Sequence, residues 1–239
     1  MVMDPSERNR RAWDEIHRRR AAALQGVLGI PQRVRDRLPP LEGLRVLHLQ
    51  CGTGESTIEL AGAGALVTGV DISGEALAVA REREPDVPWV QGDVQQLPGE
   101  LRRARFDLVY VDLGSLHWLH DLDAWAAGIH AALRPLGWLV VYENHPVAEC
   151  LDAALHWRAD YFDESVQTSV GWQHFDLEGE PAREEKHERF WRLGDVVTAV
   201  AQAGLVVKRL EEYPPRQDAY RRQDPRVPGE YLLRAERPQ

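Results

Sequence analysis

Between residues 45 and 142 the chain alternates short apolar runs with segments of helical pattern, and this alternation constrains the fold more than any other feature. The runs at 45–49, 66–70, 89–90, 106–111 and 137–142 are too continuously apolar to keep one face wet, as buried strands are. Helical patterns fill the gaps at 55–61, 74–84 and 122–133. Strands that alternate with helices pair in parallel, and right-handed crossovers put helices on both faces. The expectation is a doubly wound α/β sheet, mostly parallel and Rossmann-like, with ligands held at the carboxyl ends of the strands.

The alternation stops near Pro146. Residues 147–155 read as a helix, and 166–176 with 184–193 as the two strands of a β-hairpin. A helix at 194–203 and strands at 205–212 and 230–235 predict an antiparallel ending on the parallel sheet. At the other end Asp4-Pro5-Ser6-Glu7 opens a helix whose apolar stripe is Trp13, Ile16 and Leu24. The expected organisation is a helical cap at 1–40 and a core at 41–239. The insert at about 146–193 would serve as a lid and substrate wall.

Charge and cysteine content narrow the function. With 29 basic and 38 acidic residues the net charge is −9, which argues against a nucleic-acid surface. The arginines Arg8, Arg10, Arg11, Arg18, Arg19 and Arg20 spread around their helix and read as a solvated face. Cys51 and Cys150 are the two cysteines, too few for a disulfide framework or a thiolate metal site. Neither a signal-like stretch nor an apolar run approaching the ~20 residues of a membrane span occurs. A cytoplasmic protein, monomer or homodimer, with no metal, membrane or nucleic-acid partner is expected.

The first strand runs into Gln50-Cys51-Gly52-Thr53-Gly54 and then a helix. A dinucleotide site asks for a third glycine three residues on, where Thr57 stands, and a phosphate loop asks for a lysine that is absent. Glu55 puts negative charge at the helix start, where a phosphate would sit. A ligand with a cationic, zwitterionic end suits this turn better. Asp71 closes the second strand and can accept from two ribose hydroxyls, or can cap the next helix in competition with Ser73. Asp93, just past the third strand, can accept from an exocyclic adenine amine while the Val94 amide donates to a ring nitrogen.

The glycine turn, Asp71, Gly92-Asp93, Phe106-Asp107-Leu108-Val109 and Leu133-Arg134-Pro135-Leu136-Gly137 occur in an order that resembles the class I S-adenosylmethionine-dependent methyltransferases of small-molecule type. The resemblance covers residues 41–145 and the closing elements after 194, and "NRRAWDEI" resembles the helix that precedes the core in such proteins. It implies a seven-stranded sheet with an antiparallel last strand and S-adenosyl-L-methionine as cofactor. The reaction implied is methyl transfer to a small organic acceptor by in-line displacement. The cofactor residues it implies are Gln50, Gly52, Gly54, Asp71, Ile72, Asp93, Val94 and Asp112. This chain departs from the family pattern twice: His48 stands at the usual acid and Gln50 at the first glycine. That acid helps to hold the methionine ammonium, so Glu55 or a backbone carbonyl is the expected substitute. Gln50 should avoid a positive φ and give a different turn. A non-catalytic cofactor-binding relative, and an NAD-dependent oxidoreductase, are the rival readings.

Proton removal from an acceptor would fall to a histidine near the strand ends, with His117 and His145 the candidates. His174 in the hairpin, Tyr142, Trp13 and Trp118 are expected to border the acceptor. The insert aromatics Trp157, Tyr161, Phe162, Trp172, Phe175, Phe190 and Trp191 could line an apolar pocket or form a small core beneath the hairpin.

Overall fold

The computed structural model describes residues 4–20, 29–152, 154–171, 182–215 and 224–239. His174, Trp172, Phe175 and Leu24, expected above in the pocket or the N-terminal stripe, lie outside the described residues.

Strands β1 (Arg45–Leu49), β2 (Leu66–Asp71), β3 (Trp89–Gln91), β4 (Phe106–Val111) and β5 (Leu133–Asn144) pair in parallel. Strand β8 (Val206–Tyr213) and strand β9 (Glu230–Glu236) complete the sheet in the order β3-β2-β1-β4-β5-β9-β8, with β9 antiparallel to both neighbours. This is the antiparallel ending that the sequence pattern predicts, in the seven-stranded sheet that the resemblance implies. Helices α3 (Glu55–Gly62), α4 (Gly74–Arg83), α5 (Leu122–Ala132) and α7 (Leu193–Gln202) make the crossovers. The order reverses between β1 and β4, so the carboxyl ends of β1, β2 and β4 open on one crevice.

The central strands are buried on both faces, as a run such as Val46-Leu47-His48-Leu49 requires. One face packs Leu47, Leu49, Val109 and Val111 against Trp125, Ala126 and Ile129 of α5. The other packs Val46, Leu108, Tyr110, Val140 and Tyr142 with Leu60 of α3 and Val34 of the short α2 (Gln32–Arg35). Helix α1 (Pro5–Arg20) lies over the crevice and is tied to α4 through Asp14, which accepts from the Ser73 hydroxyl at 2.7 Å. Its arginines are ion-paired: Arg8 with Glu185, Arg10 with Glu7 and Asp14, Arg11 with Glu7, Arg18 with Glu75 and Arg19 with Glu15.

After β5 the structure departs from the sequence pattern. The expected helix at 147–155 is only α6, Pro146–Glu149. Asp152 accepts from the Ala154 and His156 amides, Leu155 turns left-handed at φ 62°, and Leu151 bridges to Trp157, so the chain reverses instead of coiling. The hairpin strands β6 (Gln167–Val170) and β7 (Glu185–Glu188) pair antiparallel. They are shorter than the patterns at 166–176 and 184–193. Asn9 of α1 holds β7 as a strand would, its side chain donating to the His187 carbonyl at 2.8 Å and accepting from the His187 amide at 2.7 Å. Among the described residues no helix is long and apolar enough to cross a membrane.

Candidate functional site

The crevice holds a cleft of about 350 Å³. One wall is the turn after β1. Gly54 has φ 88°, and a Cβ there would stand 2.5 Å from the Trp89 ring, so glycine is required for both conformation and space. Gln50 is also left-handed, with φ 53°, which corrects the expectation that a side chain at this position forces another turn. The left-handed region costs an L-residue ~1–2 kcal/mol. The Gln50 side chain offsets part of this by donating from Nε2 to the Ser115 carbonyl at 2.8 Å.

Asp71 sits on the cleft floor, 8% exposed, and its carboxylate is already engaged. The Gly52 amide donates to Oδ2 at 2.8 Å and the Ser73 amide to Oδ1 at 2.8 Å. Helix α4 is capped by Ser73, whose Oγ accepts from the Ala76 amide, so Asp71 is not its cap. Each Asp71 oxygen retains a lone pair for a ligand hydroxyl. Burial pushes this carboxyl up to about 6, against the pull of the backbone donors. Asp93 begins the turn at Val94–Gln96 and accepts from the Gln95 amide through Oδ1 at 2.8 Å.

The opposite wall is the loop after β4. Glu143, at the end of β5 and 4% exposed, takes the amides of Gly114, Ser115, Leu116 and Asn144 at 2.6, 2.6, 2.9 and 2.6 Å. Burial nonetheless pushes its carboxyl up to about 7. This clamp curls the loop so that Trp118 faces the cleft, its ring edge-on to Trp13 of α1 with centroids 5.0 Å apart.

The structure thus brings together Gln50, Gly52, Asp71, Ile72, Asp93, Val94, Trp13 and Trp118 in one cleft. Asp112 instead faces an adjoining cavity. Gly54, Tyr142, His145 and His117 do not line the cleft. Tyr142 points to the other sheet face, fully buried and bonded through its hydroxyl to Glu230, because alternate strand residues face opposite sides. His145 caps α6, with Nδ1 accepting from the Val147 amide at 3.2 Å and Nε2 lying 3.0 Å from Glu212. His117 does not line the cleft; its ring lies 4.5 Å from that of Trp118, tilted, and stacks on Phe190 at 6.2 Å. The cleft also uses Ser6, Asn9, His17 and Gln95, which sequence reasoning missed. The first three share one face of α1 with Trp13 at spacings of three and four, a signal that a polar stripe can carry as well as an apolar one.

The cleft carries the carboxylates Asp71, Asp93 and Glu55, and none of the described residues lining it is Lys or Arg. Such a wall disfavours a pyrophosphate and suits a neutral nucleoside joined to a cation. Residues 46–137 match the Methyltransferase domain family. Over that stretch the chain is similar to a methyltransferase domain. The chain is 38% identical over 106 residues to an uncharacterized methyltransferase of Synechocystis, a match covering 43% of this chain and 48% of that protein. It is 38% identical over 112 residues to the demethylmenaquinone methyltransferase of Corynebacterium glutamicum, covering 47% and 46%. The chain thus spans about half the length of the curated relatives it matches. An S-adenosylmethionine-dependent methyltransferase from Mesorhizobium loti superposes with a TM-score of 0.61 at 24% identity over 86% of this chain and 96% of its own, a likeness of fold.

Proposed function

We propose that this chain is an S-adenosylmethionine-dependent methyltransferase acting on a small organic acceptor. The observation that carries the reading is a cleft at the glycine turn lined by carboxylates and by no Lys or Arg among the described residues. In this reading Asp93 and Val94 face the adenine, Asp71 and Ile72 the ribose, and Gly52 lets the turn approach the methionine arm. The cofactor supplies an electrophilic methyl on a sulfonium, transferred in line to the acceptor's lone pair. The protein's part is alignment and exclusion of water. Trp13 and Trp118 cover the cleft, and the 146–193 insert, pinned to α1 by Asn9, serves as the acceptor-side lid. His117 and His145 are held outside the cleft, so neither serves as a base in this reading, which rests on alignment.

Because both tryptophans border the cofactor, S-adenosylhomocysteine should quench their fluorescence with a saturable, micromolar profile. That quenching should disappear in Asp93→Ala. A quench of equal affinity in the variant would remove Asp93 from the adenine site, and no saturable change in the wild type would count against the reading as a whole.

A further inference from the structure

Among the described residues the sheet ends in two unpaired edges, β3 and β8, and they differ. Strand β3 is three residues long, a short edge of the kind that resists further pairing. Strand β8 runs for eight, with Val206 44% and Leu210 41% exposed. Its backbone direction follows from its neighbour. Arg237 turns both backbone groups to β5, its amide donating to the Gly137 carbonyl and its carbonyl accepting from the Leu136 amide. Alternation along β9 then aims Arg234, Leu232 and Glu230 at β8, where Arg209, Glu211 and Tyr213 face them. The N–H and C=O groups of Leu210 and Glu212 are left pointing out of the sheet.

This edge reads Lys208-Arg209-Leu210-Glu211-Glu212, a sign pattern that inverts about Leu210. Two copies of one strand paired about a two-fold axis run antiparallel and place one residue opposite itself. We propose that β8 pairs with β8 of a second copy of this chain, with Leu210 on the axis, joining two seven-stranded sheets into one. In that register the outward N–H and C=O of Leu210 are exchanged between copies, and the two exposed leucine side chains cover each other. Arg209 lies opposite Glu211 on both sides of the axis. Lys208, displaced by the bulge between Val207 and Arg209, ends the ladder at the height of Glu212. Centring on Arg209 or on Glu211 instead would set like charges face to face, which is unfavourable. Arg209 has a further reason to take an acid from outside. Its partner on β9 is Arg234, a like charge, and its own Nη1 bond to Glu211 is 3.1 Å long with 49% of the side chain exposed. Glu211 also holds Arg37 at 2.8 Å, so across the axis each Arg209 divides its N–H groups between two carboxylates. Strand β8 stands at the opposite end of the sheet from β2 and β1, so the pairing leaves the cleft open and is independent of what the cleft binds.

Sedimentation of the full chain over a dilution series tests the pairing. The wild type should run at twice the 27.1 kDa chain mass in concentrated solution and dissociate on dilution into the micromolar range. Arg209→Glu sets glutamate opposite glutamate and should weaken the dimer about ten-fold or more. Leu210→Pro deletes the outward N–H while sparing the bonds to β9, and should leave a monomer. Mixing Arg209→Glu with Glu211→Arg restores opposite signs at both positions, so the mixture should dimerise where neither variant does alone. If Glu211→Arg does not fold beside Arg37, the first two variants still decide. A wild type that stays monomeric throughout the series would overturn the proposal. So would a dimer that survives unchanged in folded Arg209→Glu and Leu210→Pro.

Discussion

Acidification should destabilise this protein through His48 in a predictable window. Burial is the main cause that lowers the imidazole from 6.5 to about 4, opposed by the charges of Asp112 and Glu55. The unfolded chain therefore takes up a proton near pH 6.5 that the folded chain refuses until about pH 4. A base whose folded pKa is depressed contributes stability that is complete above its unfolded value and is lost as pH falls toward its folded value. Each pH unit well inside that window is worth about 1.4 kcal/mol and less near its ends, so lowering pH from 6.5 to 4.5 should remove ~2 kcal/mol on this residue's account. Asp71 and Glu143 titrate in overlapping ranges with the opposite sign, their folded values being raised to about 6 and about 7. The wild-type curve alone is therefore a sum. Comparison with His48→Gln, which keeps a polar group beside Thr57 and cannot titrate, cancels those shared contributions. Urea unfolding of both proteins at half-unit steps from pH 7.5 to 4.5 gives the difference directly. The variant should gain on the wild type by ~2 kcal/mol over the lower two units. Parallel pH profiles would refute the argument that residue 48 is held neutral by burial.

Other substitutions act through single contacts. Asp71→Ala should weaken S-adenosylhomocysteine binding by ~1–3 kcal/mol, the range for hydrogen bonds to a carboxylate, and unchanged affinity by calorimetry would take Asp71 out of the site. Gly54→Ala forces a Cβ to within 2.5 Å of the Trp89 ring at a left-handed position. A loss of ~2–4 kcal/mol by urea unfolding is expected from overpacking and backbone strain together, and a wild-type midpoint would contradict it. Glu143→Gln presents an amide N–H₂ to amides that wild type satisfies with carboxylate oxygen. Amide exchange at Gly114, Ser115 and Leu116 should accelerate about ten-fold or more while α5 keeps its protection, and uniform exchange would show that the clamp does not hold the loop.

The fold was legible because its core strands are buried on both faces, so a continuous apolar run such as 108–111 marks a strand with little ambiguity. The cleft residues were legible for a related reason. Gly52, Asp71 and Asp93 each lie at or just past a strand end, and a parallel sheet gathers its strand ends at one edge. Loop residues farther from a strand end were not legible. His117 and Trp118 are adjacent in a loop whose curl is set by Glu143, which is distant in sequence, and only Trp118 enters the cleft. His145 looked well placed at the tip of β5 but spends its ring capping α6. The helix expected at 147–155 fails because Asp152 offers local backbone amides a better acceptor than the next helical turn does. Gln50 shows a tertiary contact overriding propensity, since its left-handed backbone is held by a hydrogen bond to a carbonyl 65 residues on.

The central claim is that the cleft at the glycine turn holds S-adenosylmethionine, and isothermal titration of the purified protein tests it most directly. S-adenosylmethionine, S-adenosylhomocysteine and NADH would be compared at one pH and salt. The account predicts micromolar binding of both adenosyl ligands at one site per chain and no heat from NADH. Binding of NADH with neither adenosyl ligand bound would contradict it.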